Sequence, residues 1–171
     1  YGCIDAPSVG PGVYAFDTSD AQTSGGCACN AKWFTFFATA NGTVNAATCG
    51  GAGWDTMISA LTGSCANLQS VGCDDDGCGR QSSLSFPVVV GQQYWVAVGG
   101  YNCRIGSGVL SLSGPITGAM DCNNNGQDDL LEIMAGTAAD CNHDGRIDSC
   151  EIADGTLADS NHDGVPDVCG D

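Results

Sequence analysis

The sequence predicts a mainly β protein: a β-sandwich or jelly roll over residues 1–114, a linker at 115–120, and a small disulfide-stapled repeat region with short helices at 121–171. Three observations predict it. Short runs rich in β-branched and aromatic residues recur at roughly ten-residue spacing between Gly, Ser and Asn punctuation. The last part of the chain repeats itself every 19 residues, starting at Asp121, Asp140 and Asp159. Twelve cysteines, an even number, mark a disulfide framework.

In chain order the predicted strands are 13–16, 33–39, 43–47, 56–61, 68–72, 82–90, 94–98 and 109–112. Glycine-containing segments such as Asn41-Gly42-Thr43 supply the turns, and that tripeptide is also a glycosylation sequon. Pro87 has no N–H to give a ladder, so its strand is expected at a sheet edge or to begin there.

The repeats carry a ligand rhythm. Oxygen-bearing side chains stand at positions 1, 3, 5 and 9 with glycine at 6: Asp121, Asn123, Asn125, Asp129; Asp140, Asn142, Asp144, Asp148; Asp159, Asn161, Asp163, Asp167. Ca²⁺ takes six to eight hard oxygens, a glycine permits the sharp turn, and a carbonyl at position 7 completes the set. Gln127, Arg146 and Val165 offer those carbonyls. Glu132 and Glu151 are the bidentate carboxylates at position 12, where the third copy has Gly170 followed by Asp171. Two full calcium loops and a third, weaker or completed from elsewhere, are expected. A further calcium site or a solvated acidic turn is read at Asp74, Asp75 and Asp76, with Asp55 approaching from a neighbouring strand.

Cysteine stands at position 2 of the first two copies and at position 11 of the last two, so bridging each copy to the next predicts Cys122–Cys150 and Cys141–Cys169. The alternative, Cys141–Cys150, would strand Cys122 with Cys169. A staple is needed because the apolar residues between the loops are too few for an independent core.

The net charge of −16 is unevenly placed. Residues 121–171 hold thirteen acids and one arginine, against seven acids and three bases before them. That asymmetry marks a cation-binding tail and argues against nucleic acid or an anionic membrane as partner. No apolar run is long enough to span a bilayer. A start at Tyr1 without Met or leader reads as a processed, secreted chain at the cell surface or outside it.

The segments PGVYAFDTSDAQT, TVNAATCGGAGWDTMISALTGSC, VGCDDDGCGRQSSLSFPVVVGQQYWVAVGGYN and GSGVLSLSG resemble a β-sandwich domain frequent in secreted proteins of planctomycete-type bacteria, related to pre-peptidase C-terminal domains. The tail is similar to dockerin, thrombospondin type 3 and EF-hand-like calcium repeats. A true dockerin would have longer helices than EIMAGTAA allows, and Cys29 and Cys103 depart from the usual sandwich pattern. For the remaining cysteines the expected pairs are Cys73–Cys78, Cys49–Cys65, Cys3–Cys27 and Cys29–Cys103.

No GxSxG, HExxH or phosphate-cradling loop occurs, and His143 and His162 sit at position 4 of the loops, so no enzyme is expected. Two functional classes remain. One is an extracellular calcium-binding structural or adhesive protein, the subunit of a cell-surface fibre, which self-associates. Residues 1–6, outside the strand pattern, are a candidate strand donor to a neighbour. The other is a secreted accessory module, binding glycans through Trp33, Trp54, Tyr94, Trp95 or Tyr101, or a protein partner in dockerin fashion.

Overall fold

The computed structural model describes the chain except residues 1, 22, 119–121, 124, 126–128, 144, 145 and 171, and the side chains of 130, 131 and 134. The chain divides into two compact units, Tyr1–Gly118 and Ala119–Asp171.

The first unit is a sandwich of antiparallel sheets. Its strands are β1 (Gly12–Asp17), β2 (Cys29–Ala38), β3 (Gly42–Ala47), β4 (Thr56–Ser64), β5 (Asn67–Asp74), β6 (Ser83–Val88), β7 (Gln93–Gly100), β8 (Ser107–Ser113) and β9 (Ile116–Thr117). A four-stranded sheet runs β1-β8-β3-β6 and a five-stranded sheet β5-β4-β7-β2-β9. All eight predicted runs are strands, and β6, with Pro87 opposite Thr43, is an edge as its proline requires. Ile116 and Thr117, expected in a linker, instead pair with Ala38 and Phe37 and lengthen the five-stranded sheet.

Burial explains the sequence patterns. In β1, β3, β6 and β8 buried and exposed residues alternate, because only one face meets the core. There Phe16, Val44, Phe86, Leu110 and Leu112 pack against Phe34, Phe36, Ile58, Tyr94, Val96 and Val98 of the facing sheet. β2 and β7 read as nearly continuous apolar runs because both of their faces are covered. A second cluster, Ala28, Ala31, Trp33, Leu61, Trp95 and Ala97, lies on the outer face of the five-stranded sheet, with Cys3, Ala6, Met57 and Leu68 against it. Gly25 belongs to this cover: a Cβ there would stand 2.3 Å from Ala97 Cβ and 2.8 Å from Trp33 Cζ2.

That cover overturns three expected disulfides. The pairs are Cys3–Cys65, Cys27–Cys73 and Cys49–Cys78, with Cα separations of 5.6, 6.3 and 5.9 Å, in place of Cys3–Cys27, Cys49–Cys65 and Cys73–Cys78. Cys73 lies opposite Ser59, whose neighbours Ile58 and Ala60 point into the central core. Strand alternation therefore sends Cys73 to the outer face, where Cys27 lies, and away from Cys78 beyond the turn. Cys29–Cys103 forms as expected. Of the expected donor segment 1–6, Tyr1 lies outside the described residues and the rest is no free arm: Cys3 to Asp5 form a 3-10 turn tethered through Cys65, and the N–H of Val9 and the carbonyl of Pro7 bond Thr35 on β2.

Among its described residues the second unit holds two short helices, α1 (Asp129–Ala135) and α2 (Asp148–Asp154). Each ends at a glycine in the left-handed region, Gly136 (φ 71°) and Gly155 (φ 79°), one repeat apart. Cys122–Cys150 and Cys141–Cys169 link successive repeats, so the alternative Cys141–Cys150 pairing does not occur. Among the described residues, no helix is long and apolar enough to cross a membrane.

Candidate metal centre

The three repeats are built in phase. In each, the position 9 carboxylate accepts the N–H of position 2: Asp129 from Cys122 (3.1 Å), Asp148 from Cys141 (3.0 Å) and Asp167 from Ser160 (2.8 Å). The position 9 N–H reaches back to the residue before the loop, Asp148 to the Ala139 carbonyl (2.9 Å) and Asp167 to that of Ala158 (2.7 Å). These two contacts close a ring of about ten residues on itself. Position 4 turns through the left-handed region, His143 at φ 60° and His162 at φ 59°, and so curls the loop around its own side-chain oxygens.

Asn side chains tighten the curl. Asn123 Oδ1 accepts the N–H of Asn125 and Asn161 Oδ1 that of Asp163, both at 3.1 Å. In the third loop Asp159 accepts the N–H groups of Asp163 (3.2 Å) and Gly164 (3.0 Å), and Asp163 accepts that of Val165 (2.8 Å).

Position 12 then converges on positions 3 and 5. Glu132 accepts from Asn123 Nδ2 (3.0 Å) and Asn125 Nδ2 (2.8 Å), and Glu151 from Asn142 Nδ2 (3.5 Å). An amide offers its oxygen as readily as its nitrogen after a half-turn of its last torsion, so the same side chains serve a carboxylate or a cation. Asp129, Glu132, Asp148 and Glu151 are 1, 6, 4 and 1 % exposed. The third loop differs: Asn161, Asp163 and Asp167 are exposed and Asp159 is half-buried, and among the described residues no helix follows. Its Asp167 carboxyl is held below the ordinary range by the Ser160 hydroxyl and N–H. Asp121, Gln127 and Asp144 lie outside the described residues.

Arg146 has a use in the loop that the ligand pattern does not signal. Its guanidinium bonds Asp154 at 2.7 Å and stands 3.7 Å from buried Glu151. The Thr156 hydroxyl, then Arg146, then the Thr156 N–H hold the Asp154 carboxyl at about 2.

The donor set fits a hard divalent cation. It is all oxygen, and carboxylates taken out of water need a positive partner. Asp148 also lies within 4.8 Å of the Cys141 and Cys169 sulfurs. Those two sulfurs are joined to each other, carry no thiolate, and add no soft ligand.

The acidic turn of the sandwich is fixed by backbone hydrogen bonds. Asp74 Oδ2 accepts the N–H groups of Gly77 (2.9 Å) and Ser83 (2.7 Å), which closes the β5–β6 flank. Desolvation, then Asp76, Asp55 and Asp74, push the Asp75 carboxyl above its ordinary range. Of the aromatic candidates, Trp33, Tyr94 and Trp95 are core residues, Trp54 is half-buried with Nε1 bonded to the Ser107 carbonyl, and Tyr101 is exposed.

No family model matches the chain, and no curated protein matches it in sequence. Among solved structures it is similar to the pre-peptidase C-terminal domain of a collagenase from Bacillus anthracis. The identity is 13 %, the TM-score 0.39, and the match covers 60 % of this chain and 89 % of that one.

Proposed function

We propose that this chain is a secreted, calcium-binding structural or adhesive protein that self-associates as the subunit of a cell-surface fibre. One observation carries the reading: Asp129, Glu132, Asp148 and Glu151 are nearly fully buried in two in-phase repeats of a strongly acidic tail. Taking carboxylates out of water costs several kcal/mol per group, and a divalent cation would add positive charge to what Arg146 supplies 3.7 Å from Glu151. Asn123, Asn125, Asp129 and Glu132 hold the ion of the first loop, and Asp140, Asn142, Asp148 and Glu151 that of the second, with Asp121, Asp144 and the carbonyls of Gln127 and Arg146 completing them. The third loop, through Asp159, Asn161, Asp163, Asp167 and the Val165 carbonyl, binds more weakly for want of a glutamate at position 12. Ca²⁺ supplies positive charge and rigidity there, and the protein supplies shape.

Six disulfides and an acidic, low-lysine composition support an extracellular setting. The resemblance of the tail to EF-hand-like repeats supports the ion, and two interlocking staples support a mechanical role. Calorimetric titration of chelator-stripped protein with Ca²⁺ tests the reading. Binding at two sites or more is expected, and a flat titration overturns it.

A further inference from the structure

Sheet edges template pairing with other chains, and proteins blunt them with proline, charge, bulges or cover. Three edges of this sandwich are blunted. β6 carries Pro87; β5 faces a register irregularity at Ala60 and Leu61 and is tethered through Cys73; the β2 edge is covered by β9 and by residues 7–9. The fourth edge, β1, has the sequence GVYAFD, with no proline or lysine, and an unbroken register to β8 from Gly12 opposite Leu112 to Asp17 opposite Ser107. Its Val13 is 67 % exposed. A cleft of about 550 Å³ opens beside it, lined among others by Ala15, Phe16 and Asp17 of β1 and by Lys32 and Trp33 of β2, with Lys32 ion-paired to Asp20 at 2.7 Å.

We propose that β1 is a self-complementary edge, on which two copies of this chain pair β1 against β1, antiparallel, about a two-fold axis at Ala15. The inference deepens the self-association reading and rests on it. The N–H of Thr18, next after β1, bonds the Gly106 carbonyl on the β8 side. By alternation Tyr14 and Phe16 also turn their backbone groups to β8, while those of Val13, Ala15 and Asp17 point to the open edge. A two-fold axis normal to the sheet keeps every side chain on its own face, so only residues of like parity come opposite one another. Centring on Ala15 sets Ala15 against Ala15 and Val13 against Asp17, and satisfies about six outward N–H and C=O pairs. Centring on Tyr14 would set Pro11, which has no N–H, against Asp17.

Charge favours a second copy in the same register. For a chain of net charge −16, β1 is a seam with a single acid, and that acid is already held by the Ser19 N–H and the Ser107 hydroxyl. The two Asp17 residues fall four positions apart, about 13 Å along the strands. That exceeds the screening length of about 8 Å in physiological salt.

Cysteine cross-linking of the full chain in millimolar Ca²⁺ tests the register. Hydrogen-bonded antiparallel pairs stand about 5.5 Å apart at Cα, within disulfide range. Ala15→Cys is therefore expected to give a covalent dimer on mild oxidation, linked at position 15 in unreduced peptide maps. Val13→Cys, also exposed but far from its own copy, is expected to stay uncrosslinked. Ala15→Pro removes an outward N–H that the fold does not use, and is expected to weaken association at least tenfold with unchanged circular dichroism. If Ala15→Cys yields no dimer while the parent protein scatters light as an assembly, edge pairing is overturned and self-association stands. A parent protein that remains monomeric across a wide concentration range overturns both.

Discussion

Glu132 accepts a hydrogen bond from the Asn125 amide at 2.8 Å, across a loop in which the two are seven residues apart. Positions 5 and 12 of a repeat thus meet before any ion is considered. Glu132→Gln keeps the shape and removes the charge. A contact to a charged group contributes about 1.5–3 kcal/mol, so calcium affinity of the first loop is expected to fall about ten- to a hundredfold. Glu151→Gln should do the same to the second loop, with calorimetry resolving each site.

Chelation should loosen the tail and spare the sandwich. Ca²⁺ at a hundred times its dissociation constant adds about 2.7 kcal/mol per site. Hydrogen exchange with and without chelator is the measurement. Faster exchange confined to the three repeats is expected, with the amides of β2 and β7 unchanged.

Removing one inter-repeat staple, as Cys141→Ser with Cys169→Ser, frees a closed loop of 28 residues. The expected loss is about 3–4 kcal/mol of tail stability on the chain-entropy scale. Thermal unfolding of the double variant against the parent, both in Ca²⁺, reads it.

Gly25→Ala would drive a methyl into Ala97 and Trp33 beneath the N-terminal cover. Overpacking of this kind costs about 1–3 kcal/mol. Ala97→Gly, which removes the nearer obstruction, should recover part of the loss, and denaturant unfolding of the single and double variants measures the recovery.

Asp17 titrates below its ordinary 3.8 because the Ser19 N–H and hydroxyl, then the Ser107 hydroxyl, bind its carboxylate. The folded value lies under the unfolded one, so this contribution to stability is complete above pH 3.8 and lost as pH falls through the folded value. NMR titration should place the Asp17 carboxyl low, and Ser107→Ala should move it upward.

Local chemistry made much of this protein legible in sequence. The strands follow from alternation, and β6 had to be an edge because Pro87 has no donor. Both tail disulfides follow from a period of 19, since position 2 and position 11 cysteines are missing only where a partner would be missing. What only the tertiary structure decided is which distant surfaces meet. Cys3, Cys27 and Gly25 lie in a segment that crosses the outer face of the five-stranded sheet, and no spacing records which strand they cross. Cys65 and Cys73 become their partners through β4–β5 register and strand alternation, not nearness in sequence. Arg146 likewise meets Asp154 and Glu151 only once α2 has turned back over its own loop. The open edge of β1 is a property of sheet order, which a sequence read strand by strand does not contain.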